Sequence, residues 1–200
     1  MIIQSHSVYI RSGFTPQKNW AVFLDRDGTI NHEEHLVYKL KDFKLIPQAA
    51  SAIKKLNQAN IPVIVIHNAA VVARNLCQPE QVDKLNQLMI KQLANKKAFI
   101  DAIFYCPHHQ AAYNPKMIKD CQWRKPRPGM LQAAAKQFNL NLSESFIIGD
   151  TPRDVLAGQT VKATTILVKT GHAGKTSTYQ AKPDKISQNI LTAVNWLLSL

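Results

Sequence analysis

Residues 61–67, IPVIVIH, leave little freedom of architecture. A β-branched run without a polar face must be covered on both sides, as a central strand is in a parallel sheet flanked by helices. Other apolar runs of strand length, Trp20–Leu24, DAIFYC, SFIIGD and TTILVK, alternate with segments of helical period. That alternation predicts an α/β, Rossmann-like three-layer fold with a central parallel sheet. Helices are expected from near Pro47, with Ala49, Ile53 and Leu56 on one face, and over PEQVDKLNQLMIKQLA, with a core stripe of Val82, Leu85, Leu88, Met89 and Leu93. Further helices are expected from Gly129, over RDVLAGQTV, and from about Ile186 to Leu198, where Ile186, Ile190, Val194 and Leu197 line up.

With 200 residues, 46% of them apolar and 19% charged, the chain suits one domain with a substantial core. The expected division is an extension over 1–19, which the patterning does not place, and a domain over 20–200. No window approaches the length of an apolar membrane span, and the first twenty residues lack the pattern of a signal peptide, so a cytoplasmic protein is expected. Three cysteines, Cys77, Cys106 and Cys121, fit a reducing compartment. Cys77 reads as a small packed residue. The net charge of +12 favours anionic partners, but the basic residues are scattered and read first as a solvated surface.

Open parallel sheets place their sites at the carboxyl ends of the strands. There the chain puts Asp25-Arg26-Asp27-Gly28-Thr29, then His67-Asn68, then a Cys-His loop leading to Arg124-Lys125, and Gly149-Asp150. Converging carboxylates repel one another unless a cation joins them, and an all-oxygen ligand set suits Mg²⁺. One carboxylate could then attack phosphorus while a second, two residues on, moves the protons, with Lys125 as the cation for the phosphoryl group. Asp154 reads as a helix cap or loop-orienting residue. Arg74 reads either as a surface arginine or as a phosphate contact.

DRDGT, RKPRPGM and GDTPRD resemble three motifs of the haloacid dehalogenase superfamily of phosphotransferases. With YCPHH and the intervening lengths, the resemblance runs from Trp20 to Leu200 and narrows to the capless branch that contains the heptose bisphosphate and histidinol phosphatases. It implies a Mg²⁺-dependent phosphatase without a large cap domain, working through an aspartyl-phosphate on a small phosphorylated metabolite. A heptose 1,7-bisphosphate on the route to lipopolysaccharide comes first, with histidinol phosphate or another phosphomonoester as the alternative. Asp25 is implied as nucleophile, Asp27 as general acid/base, and Lys125 as the phosphoryl-steadying cation. The Mg²⁺ ligands would be Asp25, the Asp27 carbonyl and Asp150, with Arg124, Asn68, His67 and Arg74 toward the substrate. The implied partner is a sugar phosphate, with no nucleic acid, no membrane and a monomeric chain.

The sequence departs from that pattern in three places. HNAAV stands where the family shows Thr-Asn-Gln-x-Gly, so His67 replaces a hydroxyl and Val71 a glycine that lets the backbone turn around an anion. Cys106, His108 and Cys121 match three ligands of a tetrahedral Zn²⁺ site, but Trp123, whose indole nitrogen can only donate, occupies the place of the fourth. His109 or a water is then left to complete the shell, and Trp123 alternatively plugs the loop. His35 and Leu36 stand near the family's Gly-Tyr. Two other readings follow: a catalytically impaired binding protein that keeps the fold, and a polynucleotide end-phosphatase, against which the chain shows no aromatic and basic groove.

Overall fold

The computed structural model describes residues 7–33, 35–113, 117, 120–175 and 179–200. Seven strands form one sheet: β1 (Ser7–Ile10), β2 (Val22–Leu24), β3 (Val63–Asn68), β4 (Ala102–Cys106), β5 (Phe146–Gly149), β6 (Thr164–Val168) and β7 (Lys185–Ser187). Their order is β1-β4-β3-β2-β5-β6-β7, and every pairing is parallel except that of β1 with β4. The helices are α1 (Ala49–Gln58), α2 (Ala70–Ala73), α3 (Pro79–Ala94), α4 (Gly129–Phe138), α5 (Pro152–Thr160) and α6 (Ile190–Leu197).

Strand alternation sorts the core into two layers. Val22, Leu24, Val63 and Val65 face α1, α3 and α6, where they meet Ile53, Leu56, Leu85, Met89, Val194 and Leu197. Phe23, Ile64, Ile66 and Ile147 face α4 and α5 and meet Met130, Leu131, Ala134 and Ala157. The result is the expected three-layer arrangement. Its long connections, 25–48 and 107–128, do not grow into a domain of their own among the described residues.

Two edges depart from the sequence expectation. Ser7–Ile10, from the unplaced extension, pairs in register with Ala102–Tyr105 and adds an antiparallel edge strand. Arg11 then anchors the segment, donating from Nε and Nη2 to Asp101 Oδ1 at 3.1 and 2.8 Å. At the other edge, Ile186 is not helical: it lies in β7 and is 53% exposed. The last helix starts four residues later, where Asn189 and Thr192 form a reciprocal capping box. No helix among the described residues is long and apolar enough to cross a membrane.

Candidate active site

β2, β3 and β5 run parallel side by side, so their carboxyl ends bring Asp25, Asn68 and Asp150 to one rim of the sheet. Asp25 continues the face of Phe23, and its amide donates to the Ile148 carbonyl at 2.9 Å, which locks it against β5. Lys125 arrives from the loop before α4 and is buried. Its ammonium lies 2.8 Å from Asp25 Oδ1 and 2.6 Å from Asp154 Oδ1, and donates to the Ile66 carbonyl at 2.9 Å. Burial works against a charged amine, yet the Asp154 and Asp25 carboxylates outweigh it and raise the Lys125 pKa.

Asn68 fixes the lysine from its backbone. Its Oδ1 accepts the Lys125 amide, and its Nδ2 donates to the Lys125 carbonyl, both at 3.0 Å. Asp154 has two tasks. Its Oδ2 accepts from the Thr151 amide (3.0 Å) and hydroxyl (2.6 Å) in the capping box of α5, while Oδ1 pairs with Lys125. The cap expected from sequence is present, and the ion pair is an addition that spacing could not show.

Asp150 is fully buried in a cradle made by glycines. Gly28 (φ +79°) and Gly171 (φ +58°) both need the left-handed region, and a Cβ on either would fall 2.3 Å from Asp150 Oδ2. Oδ2 accepts the His172 amide at 2.6 Å, whereas Oδ1 is buried with no hydrogen-bond partner among the described residues. Burial, followed by the charges of Asp25 and Asp154, pushes Asp150 up to about 9. Asp25 is pushed up to about 6, chiefly by burial, with Lys125 pulling it back. Carboxyl oxygens of Asp25, Asp150 and Asp154 all lie within 4.8 Å of one another. A partnerless buried oxygen and carboxylates that resist ionising together are what a hard divalent cation corrects, so the donor set fits Mg²⁺.

A small cavity of about 50 Å³ is lined by Asp25, Asp27, Glu33, Asn68, Lys125, Asp150, Thr151, Arg153 and Asp154. Lys125 and Arg153 also line an adjoining cavity of about 480 Å³, with Arg124, Arg127, Tyr179 and Asp120 on its walls. Arg124 donates through Nη1 to the His108 carbonyl at 2.9 Å, and its pKa is lowered to about 10, first by burial and further by the charges of Arg153 and Arg74. Arg74 is exposed at the end of α2, close enough for its charge to be felt by Arg124 and His109. Glu33, Arg153 and His172 escaped the sequence reading. Glu33 is pushed up to about 8 by burial and by Asp27 and Asp25, and its carboxylate lies 3.2 Å from His172 Nε2. For Glu33 the available signal was the acidic pair in NHEEH.

The structure separates His67 from this group. Strand alternation places it with Val63 and Val65 on the face opposite Asn68, where its ring stacks on Tyr105 at 5.2 Å. It is buried, and burial followed by the charges of Arg26 and Lys125 keeps its pKa well below the ordinary value. It therefore does not line the carboxylate cavity as a phosphate donor, because the side chain that alternation aims there is Asn68. Val71 begins no anion-binding turn; it packs with Val72 in a small core around Tyr105.

Cys106, His108 and Cys121 do come together, all buried, with ligand atoms within 4.8 Å of one another and Cys106 Sγ 3.7 Å from His108 Nδ1. Burial pushes the Cys106 thiol up to about 12. Trp123 packs on Phe104, ring centroids 5.8 Å apart, as the plug reading expects. His109 turns its Nδ1 to the Ala111 amide at 3.0 Å. The donor set therefore fits three of the four positions of a tetrahedral Zn²⁺ site.

Residues 122–193 match a family described as HAD-hydrolase-like. The chain is 37% identical over 162 residues to the D-glycero-beta-D-manno-heptose-1,7-bisphosphate 7-phosphatase of Photorhabdus laumondii, covering 80% of this chain and 86% of that one. It is 34% identical over 171 residues to the corresponding alpha-anomer 7-phosphatase of the same organism, covering 85% and 92%. Among solved structures, D,D-heptose 1.7-bisphosphate phosphatase from B. bronchiseptica, complexed with magnesium and phosphate, superposes with a TM-score of 0.81 at 28% identity, covering 90% of this chain and 98% of that one.

Proposed function

We propose a reaction for this chain from one premise: it belongs to the haloacid dehalogenase-like hydrolases, among the heptose-bisphosphate phosphatases, and is a phosphatase. The reaction is removal of the 7-phosphate from D-glycero-D-manno-heptose 1,7-bisphosphate. One observation carries the reading: Asp25 stands at a strand end 2.8 Å from a buried, charged lysine and beside the partnerless oxygen of Asp150. Asp25, Asp150 and the backbone carbonyl of Asp27 would hold Mg²⁺, which supplies neutralisation of phosphoryl oxygen charge when bound.

The residues of the chain account for the remaining steps. Asp25 Oδ1 accepts from the Arg26 amide and pairs with Lys125, both at 2.8 Å, so its carboxylate is oriented before substrate arrives. Asp25 attacks phosphorus, the bond from phosphorus to the C7 oxygen breaks, and Asp27 gives that oxygen a proton. Lys125 has its three donors on Ile66, Asp25 and Asp154; as Asp25 becomes the acyl phosphate, the donor aimed at it passes to a phosphoryl oxygen. Asp27 then takes a proton from water, the water oxygen attacks phosphorus, the bond to Asp25 breaks, and inorganic phosphate leaves.

The wider cavity takes the rest of the sugar. Arg124, on the loop after β4, and Arg153, in the first turn of α5, have no carboxylate partner among the described residues and supply charge for its second phosphate, and exposed Arg74 adds to the same field. Cys106, His108 and Cys121 would bind Zn²⁺ with water as fourth ligand and steady the loop that delivers Arg124. The test is phosphate release with Mg²⁺ from a panel holding both heptose bisphosphate anomers, histidinol phosphate and simple sugar monophosphates. Highest kcat/KM is expected on a heptose bisphosphate; a folded protein inactive on every phosphomonoester would overturn the reading.

A further inference from the structure

Arg26 heads the fully buried side chains in size among the described residues, yet none of the steps above uses its guanidinium. It is the arginine between the two aspartates. Its Nε and Nη2 donate to Asp27 Oδ1 and Oδ2 at 3.1 and 2.8 Å, and its Nη1 donates to Asn86 Oδ1 at 3.1 Å. Neighbouring side chains on an extended strand diverge, so this pairing requires the backbone to turn at once. It does: the amides of Thr29, Ile30 and Asn31 converge on the Arg26 carbonyl at 3.3, 2.8 and 3.1 Å. Asn31 Nδ2 then adds a bond to Asp27 Oδ1 at 2.9 Å.

Asn86 explains why the guanidinium stays in place. It is the polar exception on the inward stripe of α3, between Val82, Leu85, Met89 and Leu93, and it is 5% exposed. A buried amide in such a stripe is costly unless bonded, and its oxygen serves the arginine. The brace therefore runs from the helix layer, through a side chain 1% exposed, to one 17% exposed that lines the carboxylate cavity.

A carboxylate has about four lone-pair directions. Arg26 takes two on Asp27 and Asn31 takes a third, which leaves one, on Oδ2. We propose that Arg26, braced by Asn86, is a positioning residue that commits Asp27 to exchange protons with the leaving group and with water through that remaining direction. This rests on the phosphatase reading above, in which Asp27 protonates the departing oxygen.

The test compares first-turnover rates of the Mg²⁺-loaded protein on two substrates. A heptose 1,7-bisphosphate must have its leaving alkoxide protonated, whereas p-nitrophenyl phosphate releases a phenolate that needs no proton. Arg26→Gln should lower the alkyl-to-aryl rate ratio by about 10²-fold, the scale of general acid catalysis, and Asn86→Leu by roughly 10-fold, since a guanidinium that keeps its Asp27 bonds loses only its brace. Arg26→Lys, which keeps charge without the fork, should recover little of the ratio. A structural defect alone would slow both substrates together, so an unchanged ratio in Arg26→Gln, with a lowered ratio in Asp27→Asn, overturns the positioning role and leaves the phosphatase reading standing. An unchanged ratio in Asp27→Asn removes the acid role of Asp27 and this proposal with it. Full recovery by Arg26→Lys would overturn the two-point brace. Should Arg26→Gln fail to fold, Asn86→Leu decides, because it keeps the arginine and places an apolar residue on an apolar stripe.

Discussion

The carboxylate rim and the Cys-His loop are both polar clusters buried beside the same face of the sheet, but they are completed differently. At the rim three carboxylates have a cation of the protein beside them: Lys125 answers Asp25 and Asp154, and Arg26 answers Asp27. The buried Asp150 oxygen, with no hydrogen-bond partner among the described residues, is where an oxygen-loving cation would fit. The loop has two thiols and an imidazole in place, and Trp123, which packs on Phe104, supplies no fourth ligand. Reaction chemistry tolerates no missing group, because its charges must be balanced at each step, whereas a structural loop can exchange a metal bond for hydrophobic contact.

Breaking the rim should have the largest effect. Asp25→Asn keeps shape and removes the proposed nucleophile, so turnover should fall by more than about 10³-fold with little change in melting temperature; steady-state kinetics with a thermal melt would show it, and retained turnover would remove the assignment. Lys125→Ala should cost about 10²-fold or more in kcat. It should also destabilise, since a deeply buried Asp154 loses its partner, by about 3–5 kcal/mol in urea melts. A stable Lys125→Ala protein would mean that the ion triad contributes less to the fold than its burial implies.

Completing the loop makes the comparison sharper. Trp123→Cys supplies a third thiolate as the fourth ligand, and tightly held zinc should rise toward one per chain by elemental analysis after chelator dialysis. No gain would show that packing on Phe104 has closed the site. The smallest effect concerns His67. The unfolded chain takes up its proton below about pH 6.5, and the buried ring, held well below that value, does not. Its contribution is therefore constant above pH 6.5 and is lost as pH falls, by about 1.4 kcal/mol per unit. His67→Phe should remove that acid-side loss, and equal slopes in urea melts at pH 7 and pH 5 for both proteins would contradict it.

What could be read from residue order follows burial. β3 and the faces of α1 and α3 were legible because fully covered runs are unbroken and covered helix faces keep their period. β1 and β7 were not. Both are short edge strands with one side open, and Ile186 stands four residues before Ile190, which imitates a helical step. The meeting of Asp25, Asp27, Lys125 and Asp150 at one rim was legible because Asp25 and Asp150 directly follow strands and all four stand within dense motifs. Arg153, Glu33 and the Arg26 brace were not, since they depend on which loops meet. His67 was misread for want of counting by twos along β3: Ile64, Ile66 and Asn68 share the face that carries Asp25, and His67 does not.

The clasp between Asn68 and Lys125 has a consequence for how such a site varies. A primary amide that accepts from one backbone N–H and donates to the same residue's carbonyl does what a neighbouring strand does, so Asn68 works as a detached rung of the sheet. The lysine is thereby registered against β3 directly and not through the chain that leads to it. Residues between His108 and Arg124 can then lengthen, shorten or lose a metal ligand while the ammonium keeps its place, which separates the freedom to change what is recognised from the need to keep what reacts.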